Sequence, residues 1–532
     1  MQIFHRLRRL AASLPLLALA CALPQAGAAQ RTQAANVVPL YSLGASGVES
    51  SPSGQRGDLL LGNDGNIYMV SSVGGTGGLG SIARLGTDDK LAVVYAFTDA
   101  DQGYSSYARL TQGSDGNLYG TTYLGGANGA GTVFRVTLAG AFTLLYSFDD
   151  EKVEPKLPYT GLLQGPDGFL YGTTLRGGAQ DKGTVFRLAT DGSAFTKLYE
   201  FDGANGENPE GTLVLGPDGA LYGTTLQGGE DNRGVIYKIT TTGTFTRVFS
   251  FPALSEFNTA GLATNTVGAN PRAGLMLSTD GNFYGTAYQG GAAGYGTLFR
   301  VTPAGVLTVV HAFAGPSYGG GFPLSGVVQD TAGNFYGTTE RGGYLNRGSA
   351  YRVDAAGQYT LLHGFTGSLV EGAQPYAGLL LARNSIYAAS FSDSFAGAGA
   401  LVKLDTGTGG VLPVELSVSA TDIAAGSSVA FTWSGPAGST CSKLGTWSGA
   451  TTVTGTESVT PASAGIYTYG IGCTDTASLV HNAYIAVTVR APATEAVDGG
   501  ASGGGAVSLW LLALLAALLT RKYFKETGST CP

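Results

Sequence analysis

Charge is scarce in this chain: Asp, Glu, Lys and Arg together make up 13% of its 532 residues. What charge there is leans acidic, at a formal −7, so no basic face is available for nucleic acid. Histidine is rarer still, at four residues. His5 falls in an N-terminal apolar stretch, and His311, His363 and His481 form neither a zinc-ligand pattern nor a legible serine triad. Paired carboxylates need no short motif, so a glycosidase stays open. Between its two ends the chain holds only two cysteines, Cys441 and Cys473. The apolar run near the C-terminus is shorter than the ~20 residues of a spanning helix. What the chain does have is glycine (85), Tyr (27) and Phe (23). That composition is the mark of a hairpin-dense all-β protein, and the length implies several domains.

One phrase, Asp-Gly-x-apolar-Tyr-Gly-Thr-Thr, recurs along the chain. Its anchors are Tyr68, Tyr119, Tyr171, Tyr222, Tyr284, Tyr336 and Tyr387, with gaps of 51, 52, 51, 62, 52 and 51 residues. A fixed period of about 50 residues marks a repeat architecture. Around Tyr171, residues 161–165, 169–174, 183–188 and 195–201 read as four strands, with Pro166-Asp167-Gly168 as a tight turn. Four antiparallel strands of this length make one propeller blade, so the spacing predicts a seven-bladed β-propeller over residues 37–410. Adjacent apolar residues such as Leu170 and Tyr171 give the strands two apolar faces, as stacked sheets require. Residues 37–43 read as a stray fourth strand, and the last copy lacks one after residue 405. The N-terminal strand is therefore expected to complete the last blade and remove an edge. An open solenoid is the alternative.

A basic residue recurs on the third strand: Arg84, Arg135, Arg187, Lys238, Arg300, Arg352 and Lys403. It reads as a scaffold group whose stem packs on aromatics; the alternative is a cation ring for an anionic polymer. Asp64, Asp115, Asp167, Asp218 and Asp280 read as turn formers, and Ala332 in the sixth copy fits a purely geometric role. His311 and His363 fill the slot of Tyr95, Tyr146, Tyr199 and Phe249, so they read as aromatic substitutes. No cofactor is implied. Calcium is a weak candidate at the acidic loops 99–103, 149–151 and 202–208, none of which is a full EF-type loop. The ten extra residues of the fourth gap, within 252–271, are the expected ligand-contacting element, because loops on a rigid scaffold carry binding.

The phrases Leu118-Tyr119-Gly120-Thr121-Thr122, Gly125-Gly126 and Gly131-Thr132-Val133-Phe134-Arg135 resemble the bacterial GloVer tandem repeat, over roughly residues 40–405. That resemblance implies an exported "choice-of-anchor" protein and supplies no chemistry. The end copies depart from it, with Met69-Val70-Ser71 and Ala388-Ala389-Ser390 in place of Gly-Thr-Thr.

Residues 411–491 alternate like sandwich strands and resemble bacterial Ig-like modules. Trp433 stands where an antibody-type strand-B cysteine would. Cys441 and Cys473 are expected to be bridged in an oxidising compartment, with free thiols as the alternative. Residues 1–28 read as a signal peptide whose removal takes the formal charge from −7 to −10; lipidation at Cys21 is the rival reading. A glycine-rich linker spans 492–505. Residues 506–525 pair a short apolar helix with the basic cluster Arg521, Lys522 and Lys525, which predicts a membrane anchor with a cytoplasmic end. This tail resembles GlyGly-CTERM sorting signals, which implies a rhomboid-type protease as a partner. The expected function is non-enzymatic binding of an extracellular polysaccharide or protein. An extracellular polysaccharide hydrolase or lyase and a purely structural envelope protein are the alternatives.

Overall fold

The computed structural model describes residues 31–34, 36–43, 52–53 and 57–491, apart from 152, 256, 259, 317–318, 344, 369–371, 384, 391–398, 406–413, 421, 436–437 and 475–479. Residues 1–28, read as a signal peptide and including Cys21, all of the 492–505 linker and the apolar tail fall outside the described residues. Among those described, no helix is long and apolar enough to cross a membrane. The sheets below belong to one compact unit, Met1–Arg490.

Each copy of the repeat forms a four-stranded antiparallel sheet in chain order. Around Tyr171 the strands are Leu163–Gln164, Leu170–Thr174, Thr184–Leu188 and Thr196–Glu200. The first strand is two residues long, shorter than its sequence suggests. The second is buried from end to end, which is why polar and apolar positions do not alternate there.

The anchor tyrosine joins each sheet to the next. Tyr68 packs with Leu110, Leu118 and Phe134 of the second copy, and Tyr171 with Leu213 and Leu221 of the fourth. Tyr387 packs with Leu59 and Ile67, which returns the array to its start. The hydroxyl reaches the turn before its own strand. Tyr68 and Tyr119 each donate to Asp64 and Asp115 at 2.7 Å, and Tyr222 to Asp218 at 2.9 Å. Partial burial pulls these carboxyls upward, but hydrogen bonds from the tyrosine and the turn outweigh it and hold them below the ordinary range. The sixth copy corrects the geometric reading of the aspartate. Tyr336 donates at 2.8 Å to Asp330, two residues upstream of Ala332, so the acid is displaced and not lost. In the seventh copy Arg383 stands in this turn and donates instead to the carbonyls of Gly65 and Gly86 in the first copy.

The Gly-Thr-Thr phrase has a separate reason at each position. A Cβ on Gly172 would sit 2.6 Å from the Phe186 ring on the third strand. Gly120, Gly223, Gly285 and Gly337 meet Phe134, Tyr237, Phe299 and Tyr351 in the same way. The atypical end copies are a coupled exchange. Met69 pairs with Ala83 and Ala388 with Val402, so a larger second-strand residue faces a smaller third-strand one. The first threonine donates across to the next copy, as Thr224 does to the Ala273 carbonyl at 2.8 Å. The second ties its own sheet, as Thr174 does to Thr184 at 2.8 Å.

Two N-terminal strands, β1 (Arg31–Ala34) and β2 (Asn36–Ser42), go to different places. β2 pairs antiparallel with Ala400–Asp405 and becomes the fourth strand of the last sheet, as the sequence leads one to expect. Tyr41 then donates to the Asp89 carbonyl at 3.2 Å, tying that sheet to the first. β1 instead forms the edge of a sheet with Val414–Val418, Val429–Ser434 and Thr454–Val459. A five-stranded sheet of residues 422–490 completes this C-terminal module. Between the two sheets Phe431, Trp433, Trp447 and Tyr469 are buried. The Cys441–Cys473 disulfide is formed, and the two residues face each other on neighbouring strands of one sheet. It therefore staples that sheet and does not join the two.

Gly172→Ala is expected to destabilise the protein by about 1–3 kcal/mol through overpacking against Phe186. Combined with Phe186→Val, it is expected to cost less than the sum of the single changes; strict additivity in urea unfolding would contradict the contact. Burial, then the bond to aspartate, raises Tyr68, Tyr119 and Tyr171 from 10.0 to about 12. The neutral phenol is favoured by folding, so its stabilisation is complete below pH 10.0 and lost as pH rises through about 12. Ultraviolet titration is expected to show late-ionising phenols whose release accompanies unfolding. Ionisation of every tyrosine near 10 with the sheets intact would refute this.

Candidate functional site

The first strands of the first six copies, with residues Tyr376, Gly378 and Leu379 ahead of the seventh, line one channel of about 800 Å³. Its wall mixes apolar residues, among them Leu163, Val214, Leu215, Met276, Leu277 and Val328, with polar ones such as Thr111, Gln112 and Thr212. One mouth is different. Twelve residues before the anchor tyrosine stand Tyr107, Tyr159, Glu210, Arg272 and Leu324, and eleven before Tyr387 stands Tyr376. All six line the channel, with Asp58 and Arg109 just below them. The first copy's counterpart, Arg56, falls outside the described residues.

A strained backbone aims these residues. Two positions upstream, Ser105, Leu157, Asn208, Asn270, Phe322 and Gln374 all have positive φ, between 48° and 60°. For a residue with a Cβ this costs about 1 kcal/mol or more. Backbone bonds hold it in place: the Asn208 amide donates to the Lys182 carbonyl, and the Asn208 carbonyl accepts from Leu226. A proline follows in five of the six. Pro209 lies so close to Gly183 that a Cβ there would be 2.7 Å from its ring, which explains the glycine opening the third strand.

The mouth has two halves. In the second and third copies Tyr107, Tyr123 and Tyr159 form a cluster with ring centroids 5.5 to 6.0 Å apart. In the fourth and fifth copies the residues are charged, Glu210 and Arg272, and in the sixth Leu324 stands there while Glu340 and Arg341 follow the second strand. Arg272 lies 3.5 Å from Glu210 and stacks over Tyr288 at 5.2 Å. Tyr288 donates to Glu340 at 2.6 Å, and Arg341 stacks over Phe322. Burial pushes the Glu210 carboxyl above its usual range, and Arg272 only partly offsets this. Burial, then the bond to Glu340, also pushes the Tyr288 phenol well upward.

The residues singled out in the sequence lie elsewhere. The repeated cations face the anchor tyrosines in register, as in Tyr171↔Arg187 and Tyr222↔Lys238, and none lines the channel. Arg187 stacks over Phe169 and Lys238 pairs with Asp218 at 3.0 Å. His311 stacks on Tyr359 in the outer strands, where burial lowers its pKa. The acidic loops bond themselves: Asp202 accepts from Asn205, and Asp99 from the Asp101 amide. Among the described residues no group of three or more His, Cys, Asp or Glu is placed to hold a metal ion. The insertion folds on itself through Ser255–Thr264 and Asn258–Leu262 bonds and touches the loop at Ala293. None of its described residues lines the channel. The mouth residues were missed because no single copy marks them. The available signal was the variable position after proline once the copies are stacked.

Three solved structures show the range of similarity. The extracellular domain of a protein assigned to a one-component system in B. thetaiotaomicron is 12% identical, with TM-score 0.46, over 87% of this chain and 59% of that one. This chain thus spans little more than half the length of that domain. A lectin from Burkholderia pseudomallei, BP39L, is 10% identical with TM-score 0.42, over 76% and 97%. An ulvan lyase of a new polysaccharide lyase family is 11% identical with TM-score 0.36, over 70% and 92%. At those scores no chemistry transfers to this chain. No curated protein matches it. A family model for the Gloeobacter/Verrucomicrobia repeat, by contrast, matches residues 54–266 and again 252–459, which include all seven anchor tyrosines. The chain belongs to the Gloeobacter/Verrucomicrobia repeat family.

Proposed function

We propose that this is an exported, surface-anchored protein whose seven repeat sheets form a seven-bladed propeller and whose channel mouth binds a saccharide without cleaving it. In this reading residues 414–490 are an Ig-like spacer and residues 506–525 the anchor. The packing of the seventh sheet on the first supports ring closure. The disulfide supports an oxidising compartment, as the signal-peptide pattern does.

One observation carries the binding assignment. In a chain that repeats its scaffold residues faithfully, the position facing the channel mouth differs from copy to copy: Tyr, Tyr, Glu, Arg, Leu and Tyr. A scaffold requirement would repeat; a single asymmetric ligand requires residues that do not. Aromatic faces beside polar groups, on a wall that mixes apolar and polar residues, suit a sugar ring with its apolar face and hydroxyl rim. A polymer-cleaving reading has one feature in its favour, the buried Glu210 carboxyl with its raised pKa beside Arg272. Turnover of a polysaccharide, abolished in Glu210→Gln, would establish it.

Affinity electrophoresis of the full chain in detergent against a panel of polysaccharides is expected to show retardation by at least one. The Tyr107→Ala/Tyr159→Ala variant is expected to lose about 2 kcal/mol of binding, roughly 30-fold, with its thermal unfolding little changed. Retardation equal to that of the unaltered protein would remove the mouth from the assignment.

A further inference from the structure

Most arginines of the repeat array are tied down. Arg383 bonds carbonyls of the first copy, Arg247 pairs with Glu230, and Arg176 donates to the Asp181 carbonyl. The two on the channel wall are not. Arg109 and Arg272 make no hydrogen bond among the described residues; the buried Arg272 Nε has no hydrogen-bond partner, as is also true of the Nε atoms of Arg84, Arg187, Arg300 and Arg352. The one ionic neighbour of Arg272 is Glu210, at 3.5 Å. Glu210 in turn makes no hydrogen bond among the described residues, although its side chain is only 16% exposed. A guanidinium with free donors on a cavity wall is a fork for oxyanions. A carboxylate held beside it without hydrogen bonds is a weakly bound occupant of that fork.

We propose that the mouth takes an anionic saccharide, sulfated or carboxylated, whose acid group competes with Glu210 for Arg272, with Arg109 as the second cation on the wall. This rests on the saccharide-binding reading and names the ligand's charge. The other groups around the pair do not compensate it. Asp58 accepts the Gly378 amide at 2.6 Å, and Tyr288, behind Arg272, is engaged by Glu340, next to Arg341. Tyr107, Tyr159 and Tyr376 also line the channel. Ionised Glu210 neutralises Arg272 and repels an anion. Burial favours the protonated form, which leaves Arg272 uncompensated. Binding therefore strengthens as pH falls from neutral through the raised carboxyl range.

The test uses oligosaccharides of one galactan backbone, sulfated and unsulfated, with a uronate oligosaccharide in parallel, titrated calorimetrically into the full chain in detergent. Sulfate keeps its charge throughout, so the pH response belongs to the protein. The sulfated probe is expected to bind about tenfold tighter near pH 4.5 than near pH 7.5, and tighter than the unsulfated one. Glu210→Gln is expected to bind it tightly at both pH values, and Arg272→Gln weakly at both. If Arg272→Gln does not fold, Arg109→Gln is expected to lose the preference for sulfate over its neutral counterpart. The uronate arm tells a carboxylate preference from a sulfate one. Equal binding of charged and neutral probes, or an unchanged pH response in Glu210→Gln, overturns the inference and leaves saccharide binding standing. Binding of none of the probes counts against the saccharide reading itself.

Discussion

The tyrosine of each repeat is apolar along its ring and polar at its tip, and the array depends on both ends. The ring fills the space to the next sheet, where a charged or small residue would leave a void. Burying the hydroxyl unpaired is costly, and in six copies it fixes the turn that launches its own strand through an aspartate; only the Tyr387 hydroxyl, among the anchors, is buried without a hydrogen-bond partner among the described residues. One side chain thereby sets the distance between sheets and the shape of a turn within one. Six of the seven copies show the bond, and the sixth keeps it by moving the acid to Asp330. The seventh replaces the acid with Arg383, which reaches the carbonyls of the first copy.

Much of this was legible from spacing. The period of the anchors is a local pattern written seven times, and the surplus strand at the N-terminus announced its missing place in the last sheet. What stayed illegible needed contacts between strands. Met69 and Ala388 look like decay of the motif until their partners Ala83 and Val402 are seen across the ladder. Ala332 looks like loss of the acid until Asp330 is seen to reach the same hydroxyl. The channel mouth was hidden for a deeper reason. Its residues lie in different copies from most of the groups they face, as Glu210 and Arg272 do, and what singles them out is difference between copies, whereas a motif is found by sameness.

Repetition and function are divided along each sheet. The second and third strands, buried on both sides, hold the residues that recur. The entry to the first strand, bent by a left-handed residue and a proline, holds those that differ. Backbone strain is repeated around the mouth, so an invariant device presents variable side chains. A new ligand would require changes at a few positions outside the tyrosine clasp.

The two N-terminal strands set an order of events. β1 and β2 emerge early in synthesis, yet the partner of β2 begins at Ala400 and that of β1 at Val414. At ~5–20 residues per second, more than 350 residues take tens of seconds to follow. For that time the chain carries unpaired strands at both ends of its array, each an open template for another chain. Closure is a contact of very high sequence separation and comes last. The same strand pair that closes the array therefore makes a shortened chain defective at both of its sheet systems at once. Completeness of synthesis is inspected by the fold itself.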